Sequence, residues 1–304
     1  MVQSYLSLGI FVVLLQACSV LAAVPSGAIT VGASGKYSTL SAALKDTSSN
    51  VYYVYAGTYK EQVAISRSNV IIYGETTTAS SYTGNQATIT NNVPASSAGS
   101  NDASGTLRVL ATGVKIYNLN IANTYGKAIA LSVQAGSFGC YGCKITGTQD
   151  TLLANVGTQV YAHSYIEGYV DFIFGQTASI WITKSVIQTT GSGYITASGR
   201  SSADANYYVI DQSTIQGSGS SYLAAETVKG RPWRNYARVI FQNSKAAGWS
   251  VWGSSDTRTD HVTFGESGAW SSSRASFATK LSSAVTISTV LGSGYAAWVD
   301  STYL

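Results

Sequence analysis

From Val51 to Gly265 the chain is a succession of short apolar runs, each closed by Gly, Asn, Ser or Thr. VIIYG begins at Val70, VKIYNLNIANT at Val114, CKITGTQDTLLA at Cys143, QVYAHSYIEG at Gln159 and SIWITKSVIQ at Ser179. YVIDQSTIQG, ARVIFQNSKAAG and HVTFGESG follow. No long helical periodicity interrupts them, and the three prolines of the chain fall outside these runs. YGCKITGTQD, YAHSYIEGYVD and WITKSVIQTTG each hold a strand and then a polar corner, so the pattern nearly repeats every 20 to 25 residues. A repeat of that length in strands this short, with no alternating helices, predicts an all-β, right-handed parallel β-helix, a solenoid forming a single domain. A β-sandwich with irregular loops is the alternative. Short flanking helices are expected at TLSAALKD (39–46), covering the open first coil, and at ASFATKLSSAV (275–285), lying along the side.

Residues 1–23 carry no charged side chain, and their apolar middle is closed by small residues. This reads as a secretory signal peptide, with residues 24–304 as the mature domain. A retained anchor is the alternative, because no Lys or Arg stands near the start. A lipoprotein cleavage box at Leu-Gln-Ala-Cys (15–18) lacks the same basic residues. No later stretch is apolar enough for a membrane helix, so a secreted protein with no membrane contact after signal removal is expected. The excess of 18 basic over 14 acidic residues favours an anionic polymer, and is too small and dispersed for nucleic acid. A lone C-x-x-C at Cys140 and Cys143, without a second pair, is a weak zinc or redox signal and reads as structural.

With so few acids, two positions stand out. Asp150 precedes Thr-Leu-Leu, and Asp171 lies between Tyr-Val and Phe-Ile-Phe. Carboxylates in apolar company are costly unless paired or used. If a coil takes about 21 residues, these two stack on successive rungs roughly 4.8 Å apart, with Gln149 beside them. One of two such carboxyls keeps its proton to higher pH, which gives an acid next to a nucleophile or base. Arg231, in GRPWRNYARVIF, offers the planar fork that holds the other ionised. The plain structural reading is that both aspartates satisfy turn amides or a rung-to-rung ladder.

Several motifs, in order along the chain, resemble those of the pectin methylesterases (pectinesterases), a family of secreted carbohydrate esterases. GTYKEQV (57–63), SGTLR (104–108), GKAIALS (126–132), GTQDTLL (147–153), VDFIFG (170–175), GRPW (230–233) and GWSVW (248–252) carry the resemblance. It implies a right-handed parallel β-helix that hydrolyses galacturonate methyl esters in pectin and releases methanol. Asp171 is then the nucleophile, Asp150 the general acid and later base, Gln149 the oxyanion donor, and Arg231 the partner of Asp171. Trp233, Phe174 and Trp252 form the apolar floor for sugar rings, with Thr106 a further substrate contact. Neither a metal nor an organic cofactor is implied, and the partner is methylesterified homogalacturonan, acted on by a monomer.

Departures from the family pattern are equally specific. Lys127 stands where the family has a second oxyanion glutamine; either a Lys carries that role, favouring a partly de-esterified substrate, or the local alignment is shifted. Leu153 replaces a frequent Tyr, and Ser164 replaces the cysteine one coil beyond Cys143. A glycoside hydrolase using the same carboxylates, a calcium-dependent lyase and a wall-binding protein without turnover are the rival readings. The first fits Gln149 and Arg231 less well, and the second lacks an acidic cluster. Two histidines and no G-x-S-x-G leave little room for a serine triad.

Overall fold

The computed structural model describes residues 23–217, 229–244, 248–267 and 274–304. The expected signal segment lies outside these residues except for Ala23. The described strands form three parallel sheets, one of eleven strands and two of seven, and every strand pairs with the equivalent strand of the coils before and after it. The chain is therefore a parallel β-helix, as the repeat predicts, and its coils enclose one continuous apolar core.

The core is built from columns of like residues. Ile89, Ile121, Ile145, Ile166, Ile187 and Ile215 are register partners on six successive coils, all buried. β-branched side chains suit such a stack because one χ1 rotamer repeats at each rung. The sharp corner after the long sheet repeats too. Asn118, Gly142, His163, Lys184, Gln212 and Asn243 all take left-handed backbone there, with φ between 46° and 60°. One residue later a buried hydroxyl ladder runs through the molecule. Ser164 Oγ accepts from Cys143 N at 3.1 Å, Ser185 Oγ from Ser164 N at 3.1 Å, Ser213 Oγ from Ser185 N at 3.2 Å, and Ser244 Oγ from Ser213 N at 2.9 Å. Ser164 thus satisfies a buried amide where a cystine partner would otherwise stand, and Cys140 and Cys143 are buried free thiols.

The first coil is covered by a single helical turn, Leu40–Ala43. Thr39 caps it, and the Glu61 carboxylate accepts from Leu40 N at 2.9 Å and Ser41 N at 3.0 Å. The second expected helix is corrected. Ala278–Lys280 is a strand paired to Thr263–Ser267, and the helix begins later, at Ile287–Leu291 behind the Thr286 cap. The last strand of the long sheet presents unpaired backbone groups, and pairing with them outweighs the weak helical spacing of 275–285. Val290 and Leu291 of the helix bury against Trp181, a packing residue. The C-terminus is pinned to a tyrosine column: Tyr73, Tyr117 and Tyr141 stack at 4.7 and 4.9 Å, and Asp300 accepts from Tyr117 Oη and donates its N–H to Tyr141 Oη.

Candidate active site

The seven-stranded sheet holding Leu131–Val133, Leu152–Ala154, Ile173–Gly175, Tyr194–Ser198 and Lys229–Pro232 carries the candidate site. Leu131, Leu152 and Ile173 are register partners at successive 21-residue intervals. The corner just before this sheet keeps the same step. Gln149 bridges Lys127 on one coil and Val170 on the next, and Asp150 N donates to Val170 O at 3.1 Å. Asp150 and Asp171 therefore stack on adjacent rungs. Both have left-handed backbone, φ 66° and 50°, a conformation Asp tolerates better than most side chains.

Their environments differ. Asp171 is held from 60 residues away by a two-pronged contact: Arg231 Nε donates to Oδ1 at 2.8 Å and Nη2 to Oδ2 at 2.7 Å. Charge-assisted forks of this kind fix both oxygens and the ionised state. Arg231 is itself fixed, lying 4.1 Å from the Tyr194 ring centroid and 4.2 Å from that of Trp252. Asp150 is 7% exposed, and its carboxyl hydrogen-bonds to no described residue. Burial pushes its pKa up to about 7; Asp171 adds to the rise, while Lys127 and Arg231 oppose it. One carboxylate is thus clamped as an anion while its stacked neighbour retains a proton almost to neutrality.

A cleft of about 260 Å³ opens over the pair, lined by Asn101, Lys127, Gln149, Asp150, Asp171, Phe174, Ala197, Arg231, Trp233 and Trp252. The Gln149 side chain makes no hydrogen bond within the described protein and faces this space. Lys127 is exposed there, directly one coil before Gln149, so no shift of register separates it from the carboxylates. Ile129, Leu153, Phe174 and Ala197 form an apolar floor, with Trp233 and Trp252 against it. Gly199 makes room for this wall, since a Cβ there would lie 2.4 Å from Trp233 Cε3. Thr106 is placed elsewhere. It is fully buried, its hydroxyl donating to Ala122 O at 3.0 Å, so it is no substrate contact. Sequence reasoning missed Asn101, Ala197 and Tyr194. Continuing the rung count from Phe174 to Ala197 finds the second of these, and Tyr194 lies on the same strand. Among the described residues no three His, Cys, Asp or Glu side chains cluster as metal ligands would.

A parallel β-helix with a polysaccharide-width cleft on one sheet is the frame of carbohydrate-active enzymes, and comparison with known proteins narrows that class to carboxylic ester hydrolases. The Pectinesterase family model matches residues 28–283, and the chain belongs to that family. It is 45% identical to a pectinesterase of Aspergillus aculeatus over the full length of both chains. It is 43% identical to a probable pectinesterase A of Neosartorya fischeri over 92% of this chain and 90% of that one. The crystal structure of the Aspergillus niger pectin methylesterase superposes with a TM-score of 0.85 at 40% identity, covering 92% of this chain and 99% of that one. The carrot enzyme, 24% identical, shares the fold with a TM-score of 0.78 over 91% of this chain and 97% of that one.

Proposed function

We propose that the stacked carboxyl pair performs the hydrolysis of galacturonate methyl esters in pectin. The single observation that carries this is the difference between the two acids: Asp171 clamped by Arg231, Asp150 protonated up to about 7 on the adjoining rung. The Asp171 carboxylate attacks the ester carbonyl. Negative charge developing on the carbonyl oxygen is met by the Gln149 amide and the Lys127 ammonium, both facing the cleft. Collapse of the tetrahedral species expels methoxide, which takes the proton of Asp150 and leaves as methanol. Asp150, now ionised, removes a proton from water. The resulting hydroxide attacks the acyl-Asp171 anhydride, freeing the galacturonate carboxylate and restoring both aspartates. Trp233, Trp252 and Phe174 offer apolar faces for sugar rings.

The chain acts in this reading as a secreted monomer on plant cell-wall pectin, without a metal or organic cofactor. Its uncharged, apolar first 23 residues support export, and no described helix is long and apolar enough to cross a membrane. The test is methanol release from highly methylated pectin by the mature chain and by Asp171→Asn. Asn tolerates the left-handed corner, so the variant keeps its fold. Loss of kcat on the order of 10⁴-fold is expected. A folded variant with near wild-type turnover removes Asp171 from the nucleophile's role.

A further inference from the structure

Outside the catalytic cleft, the corner that precedes the site sheet exposes an uncommon pair of aromatic side chains. Tyr125 is 45% and Tyr169 is 38% exposed. Each stands two residues before a cleft residue, Lys127 and Asp171 respectively. Beside Tyr169 lies a depression of about 330 Å³ lined by Thr148, Tyr169, Thr190, Gly191 and Ser192. It is continuous in sequence with the site, because Thr148 adjoins Gln149 and Tyr169 N donates to Thr148 O at 2.6 Å.

The depression is built. Gly191 lies against the Tyr169 ring, where a Cβ would come within 2.4 Å of Cε2. Gly193 passes so close beneath that a Cβ would meet Tyr169 O at 1.9 Å. The Gly-containing loop is stapled from both sides: Thr189 Oγ1 donates to Gly191 O at 2.6 Å, and Thr190 N donates to Gly168 O at 2.9 Å. The ring is thus held in place while a large part of it stays open to solvent.

We propose that this depression is a carbohydrate subsite that takes a methylesterified galacturonate unit of the polymer, a few sugars from the scissile ester. It rests on the pectin reading above. An aromatic ring flanked by three hydroxyl-bearing side chains suits a pyranose, whose C–H face packs on the ring while its hydroxyls hydrogen-bond at the rim. No charged side chain lines the depression. A free carboxylate there would lose hydration with no cation in return, whereas a methyl ester loses little. The subsite therefore favours stretches of pectin that are still methylated.

Tyr169→Ala tests it in two ways. In turnover, KM for highly methylated pectin should rise about three- to tenfold with kcat changed less than twofold, and Tyr169→Phe should restore the wild-type KM. In binding, Asp171→Asn/Tyr169→Ala should hold fully methylated oligogalacturonate more weakly than Asp171→Asn alone, and hold the de-esterified oligomer equally well. Ser192→Lys, on the exposed loop, should shift the preference towards the de-esterified oligomer whether or not Tyr169→Ala folds. Unchanged KM and binding in Tyr169→Ala, or unchanged preference in Ser192→Lys, overturns the subsite. If wild type turns over and these variants match it, the subsite fails and the esterase stands. If wild type releases no methanol but Tyr169→Ala still weakens methylated-oligomer binding, the esterase reading fails and the subsite stands.

Discussion

Arg231 meets Asp171 with two parallel hydrogen bonds of 2.8 and 2.7 Å across 60 residues of sequence. The pair joins the coil of one strand to a strand two rungs on, and Tyr194 and Trp252 stack on the guanidinium to hold it flat. The nucleophile is aimed by this fork as much as by its own corner.

Arg231→Lys keeps the charge and loses the fork. Methanol release should fall roughly 100-fold in kcat, with KM little altered and the melting temperature lowered only modestly. Steady-state kinetics and thermal unfolding of the same preparation check both parts.

The acid limb of the mechanism depends on the Asp150 proton. Because burial raises that pKa to about 7, kcat/KM should decline as pH rises through about 7. The Lys127 ammonium opposes the rise, so Lys127→Gln should move the declining limb to higher pH. A pH–rate profile in which the limb stays in place removes Asp150, as tuned by Lys127, from the role of acid.

The same group has a cost in stability. Asp150 titrates near 7 in the fold and near ~3.9 when unfolded. Its raised pKa means the stabilising proton is fully present below about pH 4 and is lost as pH rises through about 7. Asp150→Asn should therefore match wild type in stability at pH 4 and exceed it at pH 8, by about 2–4 kcal/mol. Denaturant unfolding at the two pH values measures this directly.

Gly199→Ala places a methyl group 2.4 Å from Trp233 Cε3 without touching any carboxylate. The ring must move, so KM for polymer should rise severalfold while the pH profile keeps its shape. An unchanged KM would show that Trp233 does not contact the sugar.

The solenoid and the acid pair were legible because coils 131–152 and 152–173 contain no insertion, and counting 21 residues brings Asp150 over Asp171. Beyond Ile173 the register partner is Thr196, and beyond that Gly230. The count drifts there, and Tyr194 was invisible as the partner of Arg231. Asn101 enters the cleft from a loop before the site sheet, which no periodicity tracks. Thr106 was misplaced because strand alternation fails at a corner: Arg108 of the same segment faces outwards, while the Thr106 hydroxyl turns in to Ala122 O. The strand at 278–280 was hidden because its sequence favours neither state and the sheet edge decides.

The 21-residue coil between the two aspartates has a further meaning for how this site can vary. Their separation is one hydrogen-bonded rung, so it is dictated by peptide geometry and not by the packing of neighbouring side chains. Loosening the core cannot widen it by tenths of an ångström. Inserting or deleting one residue between 151 and 170 does not adjust it either, but carries Asp171 to the opposite face of its strand. The catalytic distance is a whole-number quantity: chain length is free to change in the arcs beyond Ile173, where the coils already lengthen, while this coil is held to its count.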